Sequence, residues 1–285
     1  MSREENVAVF EDTRRQCKEN EKLKNAIRLA TGNQFVLYED DMLGEFPHAD
    51  NHRYEEKAKV VVSKKRSFEA AAGYKGMKTC VHNFASSTTP GGGVVKGSSA
   101  QEECLCRIST LYFSINEQAM WDKFYLPHRR DLDNIHNGDL IYTPGVIVLK
   151  TDTAMPKMMP EEDWYPVDVI TLAAPKLRGG ARRGEKPRTV TDKELLAIHE
   201  KRMRRFCDVA KAFNEEVLIL GAFGCGAFMN SPQVVAQAMK NILPDYMYDF
   251  KTIEFAVYCP PNDDTNYKVF ERVLGGADGS SCQSV

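Results

Sequence analysis

Apolar residues along the chain fall into short runs separated by polar stretches of helical period. Runs of strand length lie at 59–62, 79–84, 145–149, 167–173, 217–223 and 253–259. They are dense in Val, Ile and Leu and only weakly alternating, the pattern of strands buried on both faces. The clearest helix spans 192–213, with Leu195, Leu196, Met203, Phe206, Cys207 and Ala210 along one side. Thr191 and Glu194 have capping-box spacing and fix its start. Another helix opens at Ser231-Pro232, with Ser at the N-cap and Pro at the first helical position. Strands alternating with helices predict an α/β fold in which a sheet lies between helical layers.

Residues 1–57 depart from this alternation. They are polar and helical in pattern, and Val9, Cys17, Leu23, Ala26, Ile27 and Leu29 form a partial stripe. This predicts an N-terminal helical extension packed on a core domain of residues 58–274, followed by a disordered Gly/Ser tail at 275–285. Two irregular stretches interrupt the core. Residues 128–139 are rich in His, Arg, Asp and Asn, and residues 176–188, with Gly179-Gly180 and several Arg and Lys, read as a mobile basic loop.

Charge narrows the function. Thirty-eight Lys and Arg against 40 Asp and Glu leave a net charge of −2, which argues against bulk electrostatic binding to nucleic acid. A polyanionic ligand would need a specific pocket. No apolar run is long enough to span a bilayer, and the charged N-terminus has no signal-peptide core. The eight cysteines include no CxxC pair, and Cys104 and Cys106 stand too close for a zinc site without a second pair. They read as reduced thiols of a cytoplasmic protein. His82, His128 and His136 read as surface or hydrogen-bonding residues, and no metal cluster is expected.

Two glycine loops carry the chemistry. In the first, a strand ends in Asn83 and Ala85, passes through Gly91-Gly92-Gly93, and leads to Gln101-Glu102-Glu103 on a helix expected to begin near Ser98 or Ser99. Glycines let backbone approach a ligand without an intervening Cβ. Taken alone, the glycines could be a flexible turn and the glutamates could serve the helix dipole. Adjacent helical residues point ~100° apart, so the two carboxylates cannot do the same job. In the second loop, a strand feeds Gly221-Ala222-Phe223-Gly224-Cys225-Gly226-Ala227-Phe228 before the helix at Ser231-Pro232. Free N–H groups in such a turn form an anion nest next to a helix N-terminus, and a diphosphate is its natural guest.

Taken together, the two loops resemble the ligand-binding loops of macrodomains. More narrowly, Gly91-Gly92-Gly93 followed by Gln101-Glu102-Glu103 resembles the signature of microbial-type poly(ADP-ribose) glycohydrolases. The second loop, with its aromatic at Phe228, is similar to that family's diphosphate loop. The resemblance covers roughly residues 58–270, including Tyr142-Thr143-Pro144 and residues 169–175. It implies a macrodomain-like three-layer α/β/α fold with a mixed central sheet, no cofactor and no metal. It also implies ADP-ribose or poly(ADP-ribose) as ligand, with ADP-ribosylated proteins as further partners. By resemblance, Glu103 is the catalytic acid and Glu102 places the ribose beside the scissile bond. Gln101 supports the loop, Gly91, Gly92 and Gly93 admit the distal ribose, and Asn83 and Ala85 lie on the wall beside it. Gly224, Cys225, Gly226, Ala227 and Phe228 hold the diphosphate.

The chemistry agrees with these residue types. Breaking a bond at ribose C1″ needs an acid for the departing oxygen and stabilisation of an oxocarbenium-like state. A nearby diphosphate and Glu102 would both raise the pKa of Glu103, opposing the helix dipole. Three functions stay open: a poly(ADP-ribose) glycohydrolase attacking chain ends, a hydrolase releasing single ADP-ribose units from proteins or other acceptors, and a non-catalytic ADP-ribose reader. The intact Gln101-Glu102-Glu103 argues against the reader, because binding alone needs no carboxylate beside the ribose.

Overall fold

The computed structural model describes residues 1–41, 52–178 and 188–275. Among them, seven strands form one mixed sheet: β1 (Phe35–Leu37), β2 (Lys59–Ser63), β3 (Thr79–Phe84), β4 (Leu140–Val148), β5 (Tyr165–Leu172), β6 (Val217–Leu220) and β7 (Thr252–Ala256). Their order is β1-β4-β5-β3-β6-β7-β2. The pairings from β5 through β3, β6 and β7 to β2 are parallel, while β1–β4 and β4–β5 are antiparallel. The helices are α1 (Arg3–Glu19), α2 (Glu21–Asn33), α3 (Ser67–Ala71), α4 (Gln101–Ile108), α5 (Leu111–Ile115), α6 (Gln118–Met120), α7 (Leu126–Arg130), α8 (Asp192–Ala212), α9 (Pro232–Ile242) and α10 (Thr265–Leu274).

Alternation along the strands builds the three layers. Cys80, Leu218, Leu220 and Ile170 point to a core shared with α8, α9 and α10. Val81, Ile219, Val169 and Val217 point the other way, to a core made with α1, α3, α4 and α5. The expected α/β/α sandwich with a mixed sheet is therefore the observed fold. Both expected caps are present: the Thr191 side chain accepts from Glu194 N–H, and Ser231 accepts from Val234 N–H ahead of Pro232.

Several boundaries differ from the sequence reading for local reasons. β1 lies within the stretch read as helical, and it is a three-residue edge strand that gains its geometry by pairing with β4. β4 begins at Leu140 rather than 145, because Pro144 and Gly145 sit at a break in register between Thr143 and Val146, where a missing N–H and a φ of +64° are accommodated. α4 begins at Gln101, later than Ser98 or Ser99. The segment ahead of it makes a 3₁₀ turn at Val94–Lys96, and Ser98 gives its carbonyl to the Arg107 guanidinium.

Of the histidines read as surface or hydrogen-bonding residues, His128 is hydrogen-bonding, whereas His82 lies in an aromatic core. His128 is buried, its ring nitrogens bonded to Phe124 O and Asn137 Oδ1 at 2.7 Å each. His82 is buried among Phe84, Phe206 and Phe223. Of the basic loop, residues 179–187 lie outside the described residues, as does the tail beyond Gly275. Among the described residues, no helix is long and apolar enough to cross a membrane.

α1 is bonded into the core at several points. Phe10 is fully buried, edge-on to Tyr112 with ring centroids 5.1 Å apart. Thr13 Oγ1 donates to Arg107 O at 2.6 Å, and the buried Lys150 ammonium reaches Val9 O at 2.7 Å and Asp12 at 2.8 Å. Phe10→Ala should therefore cost about 3–5 kcal/mol, the usual cost of a large core cavity. Urea denaturation checks this, and a loss below about 1 kcal/mol would mean that α1 is peripheral.

Candidate active site

The two glycine loops are far apart in sequence and meet because β3 and β6 are parallel neighbours, with Thr79 opposite Val217 and Val81 opposite Ile219. Parallel strands release their chains at the same edge, so both loops leave the carboxyl end of the sheet side by side.

Gln101 fixes the first loop to its strand. Its Oε1 accepts from Phe84 N–H at 2.9 Å, and its Nε2 donates to His82 O at 2.8 Å and Ser67 Oγ at 3.0 Å. The start of α4 is thereby held against the end of β3, and the next two residues are delivered to the cleft. Glu102 is buried, accepting from Ser86 N–H at 2.7 Å and from Asn83 Nδ2 at 3.4 Å. Burial pushes its carboxyl up to about 8, against the pull of the Ser86 N–H, and the neighbouring Glu103 charge adds to the rise. Glu103 accepts from Gly93 N–H at 2.9 Å through Oε1, while its Oε2 is buried without a hydrogen-bond partner.

Gly92 makes this pairing possible. It has φ +55°, and a Cβ there would lie 2.5 Å from Glu103 Oε1 and 3.2 Å from Glu102 Oε2. Any side chain at this position would displace the carboxylates.

The second loop presents its backbone. Among the described residues, the N–H groups of Gly226, Ala227 and Phe228 donate to no protein acceptor, whereas Cys225 N–H turns inward to Ala222 O. Phe228 is half-buried at the cleft, and Phe223 is buried against His82. A cleft of about 990 Å³ runs from Gly92, Glu102 and Glu103 past residues 223–228 to Tyr258. There the Arg66 guanidinium stacks 3.8 Å from the Tyr258 ring centre.

Of the expected site residues, Gly92, Gln101, Glu102, Glu103 and 224–228 line the cleft, whereas Gly91, expected to admit the ribose, is buried against Tyr112 and Gly93 does not line it. Asn83 and Ala85, expected on the ribose wall, are fully buried behind it, and Phe84 and Ser86 line the cleft instead. Gly93 directs its N–H at Glu103. Sequence reasoning missed Ser86, Arg66 and Tyr258, for which it offered no signal. It also missed Asn230 and His199, which stand behind the second loop. His199 did leave a trace, as a polar residue on the apolar stripe of α8 in step with Leu195, Met203 and Phe206.

Comparison with known proteins gives a consistent picture. Residues 4–151 match the family model of the microbial-type PARG catalytic domain. The chain is similar to the crystal structure of poly(ADP-ribose) glycohydrolase from Thermomonospora curvata, with a TM-score of 0.81 and 26% identity over 94% of this chain and 99% of that one. It is also similar to that enzyme bound to the inhibitor ADP-HPD, with a TM-score of 0.78 and 26% identity over 94% and 98% of the two chains. The Deinococcus radiodurans enzyme in complex with ADP-ribose matches with a TM-score of 0.73 and 27% identity over 88% and 97%. No curated protein matches the chain by sequence.

The raised Glu102 pKa has a measurable consequence. In the unfolded chain this carboxyl ionises near 4.5, whereas in the folded state it stays protonated to about 8. Its contribution to stability is thus complete below pH ~4.5, declines as the pH rises towards ~8, and is level above. Glu102→Gln cannot ionise, so its melting temperature should gain a few degrees on the wild type between about pH 5 and pH 8. A difference that stays constant over that range would show that Glu102 is ionised in the fold.

Proposed function

The chain belongs to the microbial-type poly(ADP-ribose) glycohydrolase family, and we propose how its residues divide that reaction: Glu103 moves the proton, Glu102 places the ribose, and the 224–228 turn holds the diphosphate. The observation that carries this is the state of Glu103. One carboxyl oxygen is fixed by Gly93 N–H at 2.9 Å, and the other is buried at the cleft with no partner of its own. A buried polar atom without a partner is costly in a folded protein, and a substrate oxygen would relieve it.

The steps follow. Protonated Glu103 donates to the ribose oxygen of the departing unit as the bond from that oxygen to C1″ breaks. The electron pair leaves with the oxygen, and positive charge develops on the C1″ ring. The Glu103 carboxylate then takes a proton from water as the water oxygen bonds to C1″, which restores the acid and completes ADP-ribose. Glu102, anchored by Ser86 and Asn83, is fixed in place to hold a ribose hydroxyl. The free N–H groups at 226–228 suit the diphosphate, whose charge they meet.

The ADP-ribose and ADP-HPD complexes of the related enzymes support an ADP-ribose unit as the ligand here. Proteins carrying the polymer are then the macromolecular partners. The cysteines among the described residues are all free thiols, which fits a reducing compartment, and we place the protein in the cytoplasm.

Glu103→Gln keeps the side-chain shape and an acceptor for Gly93 N–H but cannot donate a carboxyl proton. Release of ADP-ribose from automodified polymer should fall by about 100-fold or more. Calorimetric binding of ADP-ribose should stay within a few-fold of wild type. Near-wild-type turnover by this variant would remove Glu103 from the mechanism.

A further inference from the structure

Behind the second glycine loop, away from the reacting atoms, a buried amide joins four segments of chain. Asn230 Nδ2 donates to Pro175 O at 2.7 Å, in the segment that follows β5, and to Gly224 O at 3.2 Å, at the start of the loop. Asn230 N–H also donates to Gly224 O, at 3.0 Å, closing the loop into a ring. The next residue, Ser231, caps α9. On its remaining side Asn230 Oδ1 meets His199 Nε2 of α8 at 2.9 Å. Both side chains are almost wholly buried.

This arrangement fixes every proton. Because Nδ2 faces carbonyl oxygens, Oδ1 must face His199, and two lone pairs cannot point at one another. His199 therefore carries its proton on Nε2 and donates it to Asn230. His199 Nδ1 is buried without a hydrogen-bond partner, as suits the bare nitrogen of that tautomer. Burial also pushes the His199 pKa down to about 4, so the ring is neutral at neutral pH.

The loop depends on this clamp because its own backbone is strained. Met229 has φ +60°, in the left-handed region, and the residue is 65% exposed. Gly224 has φ +75°, and a Cβ on it would lie 2.5 Å from Ala174 Cβ and 2.7 Å from Asn230 Nδ2. The backbone of the loop is closed tightly around the amide, and its far end is held as well by Leu177 and Arg178 N–H donating to Phe228 O at 2.9 and 3.1 Å.

We propose that Asn230 and His199 are positioning residues for the anion nest: His199 fixes Asn230, Asn230 fixes the 224–230 backbone, and neither touches substrate. The inference rests on the reading of 224–228 as the diphosphate site. It assigns substrate affinity, rather than proton transfer, to a histidine on the helical layer beneath the site.

The test uses the whole 285-residue chain and three variants. His199→Phe keeps the ring's volume and its edge contact with Phe223 but removes the donor. His199→Gln restores a donor to Asn230. Asn230→Asp replaces the donating amide with an acceptor facing Gly224 O and Pro175 O. For His199→Phe and Asn230→Asp, KM on polymer and the Kd of ADP-ribose should rise about ten-fold or more, with kcat within about three-fold of wild type. His199→Gln should recover most of the affinity. A merely structural role would lower the active fraction, and so kcat, at unchanged KM. Should Asn230→Asp fail to fold, the His199 pair still decides the matter. If both His199 variants bind ADP-ribose as the wild type does, the positioning role is wrong. If the wild type itself does not bind ADP-ribose, the diphosphate reading fails first, and the two failures are told apart by that single titration.

Discussion

The site depends on the parallel pairing of β3 with β6. Each strand delivers one glycine loop, and neither loop forms a cleft alone. The register of the pair matters as much as its existence. In the observed register His82 faces α8 and packs on Phe206, while Asn83 faces α4 and meets Glu102. A slip of one residue would exchange these faces. Asn83 would then enter an aromatic core without partners, and Glu102 would lose a donor. Apolar residues on both faces of β3 and β6 oppose any such slip, so ordinary core packing fixes where the chemistry stands.

On that platform two carboxylates adjacent in sequence acquire different properties. The turn of the helix sends Glu102 inwards, where burial favours its protonated form, and leaves Glu103 with one oxygen held and one unpartnered. The backbone of the first loop supplies a donor to each: Ser86 N–H to Glu102 and Gly93 N–H to Glu103. The absent Cβ of Gly92 leaves the space in which the two can coexist. The glycines thus serve the carboxylates at least as directly as they serve a ligand.

Much of this was legible in the sequence, for identifiable reasons. β3 and the helix beginning at Asp192 stood out because their burial and caps leave strong local patterns. The glycine loops stood out because backbone chemistry requires glycine. What was hidden arises from contacts between distant residues. β1 is three residues long and exists through pairing with β4. The start of β4 was masked by Pro144 and Gly145, which resemble a break and instead mark a shift in register. The burial of Asn83 behind the cleft wall, and the raised pKa of Glu102, follow from what α4 packs against, which no local pattern encodes. Likewise α1 joins the core through Phe10 and a few side-chain-to-backbone bonds, too few positions to make a stripe.

The loops themselves have almost no regular structure, so their rigidity must come from outside, and it comes from opposite layers of the sandwich. On one side, Asn6 of α1 donates to Gly97 O at 3.0 Å, behind the turn that carries Gly93, and Thr13 holds α4 through Arg107 O. On the other, His199 of α8 holds Asn230. Each clamp is a buried polar bond to a loop or helix end, and such bonds order their partners because leaving one unmade is costly. The two halves of the site are therefore supported independently, the carboxylates from the α1 layer and the second glycine loop from the α8 layer, with the sheet as their common base. Under the proposed roles, a site built this way keeps proton transfer while losing grip on the diphosphate, or the reverse. That separation is a consequence of the three-layer fold: two loops on one sheet edge can each be reached by a different helical face.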